Sequence, residues 1–216
     1  MNRIILDLCG GSGSWSKPYS DAGYDVRLIT IPENDVRDYN PPYNVYGILA
    51  APPCTEFSLA RNGINRYMDS APVRDIDAGL EIVNACLRII DQCDPKFYAI
   101  ENPVGLLSNY LGKPDFTFQP WEFGDLWTKR TALWGTFNHP IKTFKTKDEC
   151  LAQIDIPIKE YYKNRKISAP IRKGALLPSR ADMDRTHFKF AMKEERSAFR
   201  AITAPGFARA FFNANK

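Results

Sequence analysis

The sequence predicts an α/β fold in which helices connect parallel strands. Three observations predict it. Short apolar runs at Ile4–Leu8, Val45–Ala51 and 96–100 read as buried strands. The first run leads through a glycine turn into a helix and a second strand, a βαβ unit expected to be parallel and right-handed. Between the later runs, Ile76, Leu80, Val83, Leu87 and Ile90 recur at near-helical spacing on one face.

The elements follow in order. After Ile4-Ile5-Leu6-Asp7-Leu8, the turn Cys9-Gly10-Gly11-Ser12-Gly13-Ser14 precedes a helix from about Trp15 to Ala22, which Gly23 stops. Asp25 to Ile31 is the second strand, and Val45–Ala51 the third. Arg61 to Asp69 is a polar, glycine-containing loop. Asp75 to Cys93 is a helix, and the strand Lys96-Phe97-Tyr98-Ala99-Ile100 ends in Glu101-Asn102-Pro103, a rigid turn. Thr131 to Phe137 is a later strand. From 140 to 185 the pattern is polar and aperiodic. Lys193 to Ile202 is helical, Thr203-Ala204-Pro205-Gly206 breaks it, and Phe207 to Asn215 is a final short helix.

The chain of 216 residues suits one domain with a small appendage. No apolar run reaches the roughly 18 residues of a membrane-spanning helix. Met1 to Asp7 lacks a signal-peptide core, so export is not expected. The five cysteines (Cys9, Cys54, Cys86, Cys93 and Cys150) are odd in number and form no CxxC pair, which fits free thiols in a reducing cytoplasm and gives no zinc signature. The net charge of +4 is uneven. Residues 159–216 hold 14 Lys and Arg against 5 Asp and Glu, whereas residues 1–158 hold 15 against 20. A basic C-terminal quarter suggests contact with a polyanion, and a solvated charged face is the alternative.

The chemistry concentrates at strand ends. In Ala51-Pro52-Pro53-Cys54-Thr55-Glu56-Phe57-Ser58, two prolines stiffen the chain and present Cys54 at a strand's carboxyl edge. Ligands gather at that edge in open α/β sheets. A thiol there suggests a nucleophile, provided that it can be held as thiolate. Glu101 ends another strand that could be a neighbour, and a carboxyl beside a thiol can supply the proton that covalent catalysis needs. The glycine turn permits close backbone approach by a ligand at a helix start, although it is not a complete GxGxxG pattern.

These segments, in this order, resemble the motifs of the DNA cytosine-5 methyltransferases, and of the short, phage-type members most. Asp7-Leu8-Cys9-Gly10-Gly11-Ser12-Gly13 resembles the cofactor motif, and Pro52-Pro53-Cys54 the Pro-Cys nucleophile motif. Ile100-Glu101-Asn102-Pro103 is similar to the Glu-Asn motif, and Trp127-Thr128-Lys129-Arg130-Thr131 to the basic motif that helps hold the base. Thr203-Ala204-Pro205-Gly206-Phe207-Ala208 stands where the C-terminal motif returns to the cofactor.

The resemblance implies a Rossmann-like, S-adenosylmethionine-dependent methyltransferase fold with a small basic C-terminal appendage. It places the catalytic domain at residues 1–140 and 190–216, and a reduced target-recognition segment at 141–189. Cys54, Glu101 and Arg130 are the implied catalytic residues. Asp7, Cys9, Gly10, Gly11, Gly13, Trp15, Asp35, Val36 and Pro52 are the implied S-adenosylmethionine-binding residues, with Asp35 at the adenine amino group. The implied substrate is duplex DNA, with the target base flipped out of the helix, in the cytoplasm of a bacterium or phage-infected cell, and with no metal or membrane. The chain departs from the pattern in places. Thr30, with Glu33 close by, stands where an acid usually meets the ribose, and Thr128 and Ala132 replace the glutamine and second arginine of the basic motif. Roughly 70 residues separate Arg130 from Thr203, short for a full recognition domain. A free cytosine nucleotide or RNA as substrate, and a catalytically weak nucleic-acid-binding relic, remain as alternatives.

Overall fold

The computed structural model describes residues 3–59, 73–125, 127–152 and 202–216. The expected loop at 61–69, the helix from Lys193 and most of the 141–189 segment lie outside these residues.

One mixed sheet organises the described chain. Its strands are β1 Ile4–Leu8, β2 Asp25–Ile29, β3 Val45–Ala50, β4 Phe97–Pro103, β5 Phe116–Phe118 and β6 Thr131–Thr136, in the order β2-β1-β3-β4-β6-β5. β1, β2, β3 and β4 run parallel, and β6 is antiparallel to both β4 and β5. The helices are α1 Lys17–Asp21, α2 Ile76–Cys93, α3 Ser108–Leu111, α4 Lys147–Ala152 and α5 Pro205–Ala214, with a 3-10 turn at Pro120–Phe123. Among the described residues no helix is long and apolar enough to cross a membrane, and no cluster of three His, Cys, Asp or Glu could hold a metal.

Strand alternation sorts the core into two layers. Ile5, Leu49, Phe97, Ala99 and Leu133 face one side, where Trp15, Tyr19, Phe207 and Phe211 of the α1 and α5 regions cover them. Leu6, Leu8, Ile48, Ala50 and Ile100 face the other side, against Cys86, Ile89 and Ile90 of α2. The periodic face read from Ile76 to Ile90 is thus the buried stripe of α2. Asp75 caps that helix by accepting from the Ala78 N–H at 3.0 Å.

Several boundaries differ from expectation. α1 begins at Lys17, because Trp15 and Ser16 still belong to the turn that leaves the glycines. β2 ends at Ile29, two residues early, ahead of the cis Ile31–Pro32 bond. β4 continues through Glu101, Asn102 and Pro103, which pair with Leu133, Ala132 and Thr131 of β6. Those three residues are therefore strand, not turn. Pro205 and Gly206 begin α5, two residues before the expected start at Phe207, since proline's missing N–H costs nothing at a helix start.

Candidate active site

The sheet reverses its direction of growth between β1 and β3. From β1 the chain passes to β2 on one side and then to β3 on the other. The carboxyl ends of two such strands flank a crevice where open α/β sheets bind ligands. Leu8 pairs with Ala50, and Ala50 with Ile100. Cys9 and Ala51 therefore leave the sheet beside Glu101, which continues in β4 against β6, and Cys54 lies three residues beyond Ala51.

The glycine turn lines this edge. Asp7 is fully buried, and its Oδ2 accepts from Ser16 Oγ at 2.5 Å while its Oδ1 has no partner. Burial pushes its carboxyl up to about 6, against the opposing effect of the Ser16 hydrogen bonds. Gly10 wraps so closely over Asp7 that a Cβ there would overlap the carboxyl group. Gly11 has φ of +54° and open space where a Cβ would project, so a ligand can meet bare backbone at this point. Thr203 N–H donates to Ser14 Oγ at 2.8 Å, which ties the C-terminal segment back to the turn. Trp15 is 1% exposed, with its ring against Phe207 and Phe211; it belongs to the core under the turn.

Beside the turn is a cleft of about 160 Å³, with Cys9, Thr30, Asn34, Asp35, Val36 and Pro53 in its wall. Asp35 accepts from Arg37 Nη2 at 2.6 Å and from Nε at 3.0 Å, which holds its carboxyl down at about 2. It is therefore an anion at any ordinary pH. Pro53, one residue past the expected Pro52, supplies the proline of this wall. Pro52 is buried, and its carbonyl accepts from Asn102 Nδ2 at 2.9 Å. That bond fastens the cysteine loop to β4.

Glu101 is 8% exposed, and Lys129 Nζ stands 3.4 Å from its Oε1. The antiparallel register explains why lysine and not the next residue is there. Glu101 pairs with Leu133 and Pro103 with Thr131, so odd-numbered residues before β6 share the face of Glu101. Thr131 Oγ1 donates to the Lys129 carbonyl at 2.8 Å, which steadies the approach. Arg130 is exposed, and its carbonyl accepts from Val104 N–H at 2.9 Å. The structure thus brings Cys54, Glu101 and Lys129 together and leaves the Arg130 side chain outside. Lys129 was legible only as part of a basic pair; the strand period would have selected it once the register was known.

Burial pushes the Cys54 thiol up, Lys129 pulls it down, and Glu101 raises it again. The resting group is a thiol between a cation and an anion. Such an arrangement can attack an electron-poor carbon once the proton leaves, with an acid beside the same carbon skeleton.

No protein-family profile and no curated protein matches the chain. Among solved structures, the chain is similar to a protein encoded within an Escherichia coli prophage and assigned as a DNA modification methyltransferase, at 18% identity, over 62% of this chain and with a TM-score of 0.44. The chain spans 47% of that protein's length. At this similarity the functional reading rests on the chain's own residues.

Proposed function

We propose that this protein transfers a methyl group from S-adenosylmethionine to C5 of cytosine in DNA, through a covalent bond between Cys54 and C6. The observation that carries the reading is the convergence of Cys54, Glu101 and Lys129 at the edge of the β1/β3 crevice. The motif order along the chain supports it.

The residues present fit the cofactor. The open backbone at Gly11 and the neighbouring cleft offer room for a nucleoside bearing an amino acid. The ionised Asp35 can accept from an exocyclic amine, while Thr30 and Asn34 offer neutral groups to a ribose. S-adenosylmethionine, when bound, supplies an electrophilic methyl group.

Cytosine C5 is a weak nucleophile until C6 carries a new bond. The Cys54 proton passes to the Glu101 carboxylate, so one transfer makes both the thiolate and the acid. Sγ then bonds to C6, the C5–C6 π pair moves to C4–C5, the C4–N3 π pair moves onto N3, and Glu101 gives N3 the proton, which leaves C5 as an enamine carbon. Lys129 stays near the thiolate and offsets its charge. After C5 has gained its methyl group, a solvent base takes the C5 proton, the C5–C6 double bond re-forms as Cys54 leaves as thiolate, and N3 gives its proton back to Glu101, which returns it to Cys54. Because the reacting edge lies against β4 and β6, the base must leave its stack to reach it.

Incubation with methyl-labelled S-adenosylmethionine and DNA, RNA or free cytosine nucleotides tests the reading. Label recovered as 5-methylcytosine in DNA is the expected result. Label in RNA or nucleotide alone changes the substrate, and no label in any of the three refutes the proposal.

A further inference from the structure

The turn that follows Cys54 is held through its carbonyls. The Cys54 carbonyl accepts from Phe57 N–H at 3.1 Å and from Ser58 N–H at 2.9 Å. The Phe57 carbonyl accepts from Leu106 N–H at 2.8 Å. The carbonyls of Glu56 and Ser58 both accept from one side chain. Arg74 donates through Nη1 to Glu56 and through Nη2 to Ser58, the latter at 2.9 Å. The link is reciprocal, since Glu56 Oε2 accepts from Asp75 N–H at 2.9 Å. Asp75 in turn caps α2. The cysteine turn is thus docked on the start of an 18-residue helix that buries Val83, Cys86, Ile89 and Ile90 in the core.

We propose that Arg74 is a positioning residue for Cys54: its guanidinium bridges the Glu56 and Ser58 carbonyls and so fixes the turn that aims the thiol at the Lys129–Glu101 pair. The inference rests on the proposed role of Cys54 as nucleophile. The chemistry of the side chain suits the task. A planar guanidinium spans two acceptors in fixed geometry, whereas a lysine ammonium is a single point donor. Phe57, fully buried between Gly79 and Gly105, holds the middle of the turn, so Arg74 governs the two carbonyls on either side of that anchor. Among the described residues, Lys129 and Glu101 are charges that act on the thiol, and Glu56, whose carboxylate accepts from the Asp75 N–H, sits on the turn that the guanidinium clasps.

The test is the full chain with Arg74→Lys and Arg74→Met, read in two ways. The first is the pH midpoint of Cys54 alkylation by iodoacetamide, followed on the Cys54 peptide by mass spectrometry. The second is kcat and KM for S-adenosylmethionine in methyl transfer to DNA. A thiol that drifts from Lys129 loses the cation that favours its thiolate, so the midpoint rises in both variants. Turnover falls by up to about 10²-fold, as for other ångström-scale misplacements, with KM for S-adenosylmethionine unchanged. Arg74→Lys keeps the charge and decides the question even where Arg74→Met fails to fold. An unchanged midpoint or an unchanged turnover in Arg74→Lys overturns the proposal. Wild-type protein that alkylates but methylates nothing refutes the proposed function instead, and the midpoints alone then decide the role of Arg74.

Discussion

Asp7 is a charge held where no charge is stable, and Asp7→Asn measures what that costs. The side chain is fully buried, with one hydrogen bond from Ser16 and one oxygen without a partner. Its carboxyl stands at about 6 against an ordinary 3.8. The folded protein therefore holds this proton more tightly than the unfolded chain does. The stability is fully present below the unfolded value and is lost as pH rises through the folded one. At 1.36 kcal/mol per pH unit, the displacement amounts to about 3 kcal/mol at neutral pH. Asparagine keeps the shape and the acceptor for Ser16 and carries no charge. Its extra N–H groups need partners, which offsets about 1 kcal/mol of the gain at every pH. That offset is the same at both ends of the range and cancels, so the variant's stability relative to wild type should rise by about 2.4 kcal/mol from about pH 4 to about pH 7.5. Urea unfolding at both pH values gives the difference, and other titrating groups cancel in the comparison. A stability gap that does not move with pH would refute the reasoning.

Three further outcomes are expected. Gly206→Ala should cost about 1–3 kcal/mol in urea unfolding, because a Cβ there would overlap the Phe123 carbonyl oxygen; a loss no larger than for an ordinary surface substitution would contradict the packing. Lys129→Met should lower methyl transfer by about 10²-fold or more and raise the pH at which Cys54 is alkylated, whereas Arg130→Ala should leave that pH alone; the reverse ranking would restore Arg130 to the site. Charge reversal at Lys163, Arg165, Lys166, Arg172 and Lys173, which lie outside the described residues, should flatten the salt dependence of DNA binding, whose slope is about −0.9 per phosphate neutralised, and leave S-adenosylmethionine affinity unchanged in calorimetry.

What could be read from the sequence was local. The apolar run and glycine turn at Ile4–Gly13, the Pro-Pro-Cys step and the stripe from Ile76 to Ile90 each carry their signal within a dozen residues. What was missed depends on partners distant in the chain. Pro103 reads as a terminator, yet β6 extends β4 through it by pairing with Thr131. The last helix reads as starting at Phe207 until Asp125 is seen accepting the Gly206 N–H at 3.0 Å. β5 and α3, of three and four residues, are too short to show a period. The choice between Lys129 and Arg130 needs the register that sets Glu101 opposite Leu133. Arg74 acts 16 and 18 residues back along the chain, where no spacing rule looks.

The central claim is that Cys54 forms a covalent bond with C6 of cytosine. DNA containing 5-fluorocytosine tests it most directly, because fluorine at C5 cannot leave as the proton does. With S-adenosylmethionine present, the protein should become trapped on this DNA in a denaturant-stable adduct, and mass spectrometry should place the nucleotide on the Cys54 peptide. Cys54→Ser should form no adduct. Methylation of ordinary DNA without a trapped species on the fluorinated substrate, or an adduct on Cys9, Cys86, Cys93 or Cys150, would contradict the assignment.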